Sequence, residues 1–170
     1  MLRDLIYFAA TLQTFTVEKS GEIVLVNPDD YQFILSKPDV RVKIIGRFAV
    51  KNSDQQQIAV TIHHQAPRTT ANTSLRGTSA DQAKLTFFGR IIIDPDCPQT
   101  NSFLEERILL LSSQARGETI PELEILSNDV KCSHAATLST IDENQMFYLQ
   151  SRGLSSKKAE KMLIDGFLAV

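Results

Sequence analysis

Four places in the sequence carry side chains that could do chemistry. Cys132-Ser133-His134 sets a thiol and an imidazole two residues apart. In an extended chain that spacing puts both on one face, where a soft sulfur and a ring nitrogen can ligate zinc or an iron–sulfur species. Two ligands do not complete a shell, and no Cys-x-x-Cys accompanies them, so the competing reading is a small buried cysteine beside a hydrogen-bonded histidine. His63-His64 could supply a general base, but an acyl-transfer pair would be followed by an aspartate where this chain has Arg68. On a strand the two imidazoles point to opposite faces and cannot line one site. Cys97 follows Asp94-Pro95-Asp96 and precedes Pro98, which reads as a turn with an exposed, incidental thiol. Glu105-Glu106 diverge on a strand, so they cannot work together as acid and base. No Gly-rich phosphate loop and no Gly-x-Ser-x-Gly elbow is present. Nothing joins a nucleophile, its base and an oxyanion site, so these residues describe a structural or binding module rather than an enzyme.

Composition narrows the classes further. A chain of 170 residues with 42% hydrophobic content suits one domain, or one domain with a small appendage. Such a chain buries roughly 70% of its unfolded surface. Eighteen basic and 20 acidic residues give a net charge of −2, without the basic excess of a nucleic-acid binder. Two cysteines are too few for a disulfide framework and read as free thiols of a reducing compartment. No apolar run reaches the length of a transmembrane helix, so no membrane partner is expected. The N-terminus carries Asp4 and lacks a basic stretch before its apolar residues; this predicts no signal peptide and a cytoplasmic location.

The elements that must position these residues are mostly strands. Leu85, Phe87, Ile91 and Ile93 share one face with Gly89 between them, while Thr86, Phe88, Arg90 and Ile92 share the other. Arg41-Val42-Lys43-Ile44 and Glu122-Leu123-Glu124-Ile125 repeat the pattern with charge out and aliphatic in. Asn27-Pro28-Asp29-Asp30, Lys37-Pro38-Asp39, Asn52-Ser53-Asp54 and Asp94-Pro95-Asp96 supply turns. Apolar blocks centre near Val24, Val42, Val60, Leu75, Ile91, Leu109 and Ile125, spaced by 15 to 18 residues. Read as one coil per block, this predicts a flattened parallel β-helix of about six or seven coils. An antiparallel sandwich is the rival, and the lack of Asn-Gly and Asp-Gly hairpin turns favours coils.

From residue 140 the pattern turns helical. Thr140-Ile141-Asp142-Glu143 has capping-box spacing, and Asp142 with Gln145 offers a second cap. The first helix carries Met146, Phe147, Tyr148 and Leu149 and ends at Arg152-Gly153. Ser155 is placed to cap a second helix, whose apolar positions are Ala159, Met162, Leu163 and Phe167. The chain thus divides into a β-helix over 1–139, with 1–20 as an N-terminal cap, and a helical hairpin over 140–170.

The stretch from about Lys84 to Phe167 resembles the C-terminal part of the SufB/SufD family, the scaffolds of SUF iron–sulfur cluster assembly. The resemblance lies in Phe88-Gly89-Arg90-Ile91, Leu109-Leu110-Leu111-Ser112, Pro121-Glu122-Leu123-Glu124-Ile125, Asp129-Val130-Lys131-Cys132-Ser133-His134 and Phe147-Tyr148-Leu149-Gln150-Ser151-Arg152-Gly153. His64-Gln65-Ala66-Pro67-Arg68-Thr69 is similar to an upstream segment, more loosely. The pattern is closer to SufD than to SufB: Ala135 stands where the SufB type has Glu, and Ala115 near where it has a cluster-related cysteine. The SufD type has Gly at position 135; were that glycine at positive φ, alanine would be strained there.

The resemblance implies a right-handed parallel β-helix followed by helices. It implies that His134, and secondarily Cys132, form half of a site for a nascent iron–sulfur cluster or iron. That cluster would be held transiently at the interface with a SufB-type scaffold or a second copy, whose thiolates complete the shell. It implies that the tail from Asp142 to Phe167, with Phe147, Tyr148, Arg152 and Gly153, docks a SufC-type ATPase, and that this chain is not itself an enzyme. Family members are usually much longer, so the chain reads as a minimal SufD-like protein or a fragment of one. The alternative function is a purely structural or interaction β-helix without cluster chemistry. A carbohydrate-active β-helix is a more distant third, for want of paired carboxylates on one face.

Overall fold

The computed structural model describes residues 11–169. Ten strands precede two helices: β1 (Leu12–Val17), β2 (Gly21–Leu25), β3 (Asp30–Leu35), β4 (Arg41–Val50), β5 (Gln55–His64), β6 (Thr70–Ser79), β7 (Lys84–Ile93), β8 (Asn101–Leu110), β9 (Arg116–Ile125), β10 (Lys131–Thr140), α1 (Glu143–Ser151) and α2 (Ser156–Leu168). Odd-numbered strands form one sheet in the order β1-β3-β5-β7-β9, and even-numbered strands a second in the order β10-β8-β6-β4-β2. The strand pairings are parallel, between strands two apart in sequence. This is a flattened parallel β-helix, as expected, and not an antiparallel sandwich.

The coil count differs from the sequence reading. Five strands per sheet allow five coils at most, not six or seven. Gln55 lies opposite Lys84, Lys84 opposite Arg116, Arg41 opposite Thr70 and Asn101 opposite Lys131. One coil therefore takes about thirty residues, and the spacing of 15 to 18 is half a coil: one ten-residue strand and its corner. The corners repeat at the same interval. Asp39, Arg68, Gln99 and Asp129 all adopt positive φ, as do Asn52 and Asp81. Asp and Asn tolerate that region better than most residues, which is why the turn signals were legible. Arg68 donates from Nε and Nη2 to both carboxylate oxygens of Asp39 at 2.8 and 2.9 Å, tying two adjacent corners together.

The core fills the narrow space between the sheets. Leu85, Phe87, Ile91 and Ile93 from β7 and Ile58, Val60 and Ile62 from β5 meet Ala71, Leu75, Leu104 and Ile108 from β6 and β8, all fully buried. Phe87 packs edge-on against Phe48 across the stack at 5.8 Å. Phe87→Ala is expected to cost about 3–5 kcal/mol in urea unfolding, because a cavity is left that the sheets cannot close. A loss under about 1 kcal/mol would mean that the sheets collapse onto the gap.

The last coil is built differently. β9 pairs with β7 and β10 with β8, and no further strand lies beyond either among the described residues. Glu122-Leu123-Glu124-Ile125 keeps its alternation, but Leu123 is 44% and Ile125 42% exposed, and Leu138 of β10 is 50% exposed. Their side chains sit at an uncovered end of the stack. At the other end Phe15 of β1 stacks on Tyr31 and Phe33. Of the segment assigned to an N-terminal cap, Leu12–Val17 is β1, and residues 1–10 lie outside the described residues.

The helices are set as the sequence suggests. Asp142 is the N-cap of α1, its carboxylate accepting from the backbone N–H groups of Asn144 and Gln145. Gly153 follows the helix at φ 90°, the left-handed position that stops it. Ser155 occupies the N-cap of α2 without a side-chain bond. Ala159 is buried, but Met162, read as inward, is 57% exposed. Met146 and Leu149 are half-buried rather than sealed in. The hairpin leans on the outer face of the second sheet, where Arg76 donates to Phe167 O at 2.6 Å and Arg76 and Arg107 both lie over the Phe167 ring. No described helix is long and apolar enough to cross a membrane.

Candidate functional site

Cys132 and His134 project from the inner face of β10, two residues apart, at the uncovered end of the stack. Register places them opposite Ser102 and Leu104 of β8. Cys132 is half-buried, and burial pushes its thiol up from the ordinary value. The His134 side chain is 9% exposed, and its Nε2 lies 3.0 Å from Glu106 Oε2. Burial lowers the pKa of His134 and raises that of Glu106 to about 7, so both groups are driven toward their neutral forms. Among the described residues no group of three or more His, Cys, Asp or Glu side chains is placed to hold a metal ion. The donor set is thus one imidazole and one thiol. Side chains of these two kinds favour borderline or soft metals. Ala135 lies inside β10 and is not at positive φ, so it carries no strain there.

Read only as half of a carboxylate pair with Glu105, Glu106 does not stand out in the sequence. The alternation Ser102, Leu104, Glu106, Ile108 already placed an acid on the inner face. Glu105 points outward, 3.7 Å from Arg76.

The other candidates lie elsewhere. His63 faces outward and bonds Asp94 at 2.8 Å, while His64 faces inward and is fully buried, so the two do diverge. Thr69 donates its hydroxyl to Ala66 O and so accepts from His64 Nδ1–H at 2.7 Å; Ser102 donates to Nε2 at 3.0 Å. Both ring nitrogens are satisfied by a neutral imidazole. Burial, reinforced by His63, lowers the His64 pKa to about 4. Cys97 is buried, against the exposed thiol expected, because its corner folds the sulfur inward toward His64 O at 3.8 Å. Its pKa is raised by burial, which makes it a poor nucleophile.

His64 makes a pH prediction. Its proton binds the unfolded chain near pH 6.5 and the folded chain only near pH 4, so its contribution to stability is lost as pH falls through that window. Glu106, raised to about 7, acts in the opposite sense and offsets part of this slope. A His64→Gln comparison separates them: between pH 7 and 4.5 the native chain is expected to lose about 2–3 kcal/mol more than the variant. Parallel losses would contradict the neutral, doubly bonded imidazole.

The residues named for ATPase docking gather around the end of α1. Phe147 is 73% and Tyr148 57% exposed, and the Arg152 guanidinium sits 5.2 Å above the Tyr148 ring. A cavity of about 680 Å³ opens between the hairpin and the second sheet, lined by Arg76, Arg107, Tyr148, Leu149, Met162 and Phe167 among others.

The chain is a parallel β-helix ending in a helical hairpin, with a cysteine and a histidine on its last coil. Residues 5–167 match the family model described as SUF system FeS cluster assembly, SufBD core domain. The chain belongs to the SufBD family. It is similar to the iron-sulfur cluster assembly protein SufD of Escherichia coli, 39% identical over 90 residues, covering 53% of this chain and 21% of that protein. It is 32% identical to SufD of Bacillus subtilis over 131 residues, covering 77% of this chain and 29% of the relative. An iron-sulfur cluster assembly SufBD family protein of Mycobacterium leprae is 27% identical over 166 residues, 93% of this chain and 42% of the relative. The chain thus spans between about a fifth and two fifths of the length of these curated relatives.

Proposed function

We propose that this chain is a non-catalytic scaffold component of SUF-type iron–sulfur cluster assembly. It meets a SufB-type scaffold, or a second copy, through its last coil and docks a SufC-type ATPase through α1 and α2. It handles iron or a nascent cluster transiently as cargo at His134, with Cys132 as an additional ligand. One observation carries this reading: an imidazole and a thiol sit on the inner face of a coil beyond which no further strand lies among the described residues. A half-shell at an open end is what a shared site requires, and the exposed Leu123, Ile125 and Leu138 around it supply apolar area for a partner to bury. The edges of β9 and β10, unpaired among the described residues, also offer backbone hydrogen bonds to another chain. The family membership and the relatives named SufD support the pathway.

The chain transmits its partner's nucleotide-driven motion to the β-helix. Co-expression with a SufC-type ATPase and a SufB-type scaffold tests this. A stable complex containing all three chains is expected. A folded chain that captures neither partner would leave it a structural β-helix without cluster chemistry.

A further inference from the structure

Glu106 is the only fully buried carboxyl group among the described residues. It makes one hydrogen bond, to His134 Nε2, and its Oε1 has no partner. Its carboxyl fits a notch left by Gly89: a Cβ on that glycine would run into Glu106 Oε1 and Leu104. Leu104 and Ile108 flank it on its own strand. Packing does not explain this residue. A carboxyl with one orphaned oxygen destabilises an apolar interior, and an aliphatic side chain of similar length would fit better. The one group it serves is His134, whose Nδ1 has no protein partner among the described residues.

We propose that Glu106 is the positioning residue of the iron-handling site: by holding Nε2 of His134 it fixes the ring and leaves Nδ1 as the nitrogen offered to the metal. The inference rests on the reading of His134 as an iron ligand. Its chemistry is general, since a histidine that binds metal through one nitrogen is oriented by the hydrogen bond on the other. Cys132, two residues earlier on the same face, is then placed to donate a thiolate beside it.

The test uses the full chain with ¹⁵N-labelled histidine, titrated with Zn²⁺ as a diamagnetic probe and, anaerobically, with Fe²⁺. In the native chain Zn²⁺ is expected to shift Nδ1 of His134 and leave Nε2 hydrogen-bonded. Glu106→Leu is expected to weaken metal binding roughly ten- to a hundred-fold, with a melting temperature equal to or above that of the native chain. Glu106→Gln, which can still accept from Nε2–H, is expected to restore binding to within a few-fold of native. Binding through Nε2, native-like binding by Glu106→Leu, or binding and stability lost together would overturn the proposal. His134→Ala serves as the reference. If it loses metal while Glu106→Leu keeps it, the positioning role alone fails. If His134→Ala binds as the native chain does, the cluster-handling reading fails and the positioning role with it.

Discussion

His134→Ala is expected to abolish cluster formation by the assembled complex while leaving the chain folded. The side chain lies at the end of the stack, outside the layers formed by Phe33, Phe87 and Leu104. Its removal breaks one hydrogen bond and leaves Glu106 alone in the interior. With a pKa of about 7, that carboxyl can stay neutral there, so the cost is that of one unsatisfied polar group, about 1–3 kcal/mol. A metal held at this coil would, in contrast, lose its only imidazole. Cluster absorption after anaerobic reconstitution is the measurement. A drop of tenfold or more with an unchanged circular dichroism spectrum is expected, and full assembly by the variant would show that His134 is a structural histidine only.

Truncation after Ile141 is expected to eliminate capture of the SufC-type ATPase with little change in the coil stack. Almost every fully buried apolar residue belongs to the strands and corners; Ala159 is the only buried residue in α2, and α1 has none. The hairpin is held outside by the Arg76 bond to Phe167 O and by Phe167 beneath two guanidinium groups. Its removal therefore uncovers a sheet face without opening the core. The exposed Phe147 and Tyr148 are aromatic anchors of the kind that dominate interfaces, so most of the binding energy is expected to leave with them. Pull-down of the ATPase by the full and truncated chains reads this out. Equal capture by both would move the docking surface to the β-helix.

The strand faces are legible because alternation is a local property: Leu85, Phe87, Ile91 and Ile93 read as one face, and all four are buried. The number of coils was not, because apolar blocks count strands, and only long-range pairing such as Gln55 with Lys84 shows that two strands make one coil. Leu123 and Ile125 read as buried for the same reason; their pattern is that of a core strand, and whether a further layer covers them is not encoded in it. Cys97 was misplaced because a turn signal fixes the backbone but not the direction of one side chain at the corner. At the site, the pairing of spacing and strand made Cys132 and His134 legible as one face. Glu106 required knowing that β8 lies beneath β10, a contact between residues 28 apart in sequence.

The last coil is proposed to carry half of a shared site. Iron and acid-labile sulfide, counted after anaerobic reconstitution of this chain alone, with a SufB-type scaffold, and with the same scaffold plus His134→Ala, test it most directly. A cluster is expected only where the native chain meets the scaffold or a second copy of itself. A stable cluster on the monomeric chain, or an equal yield with His134→Ala, would contradict this.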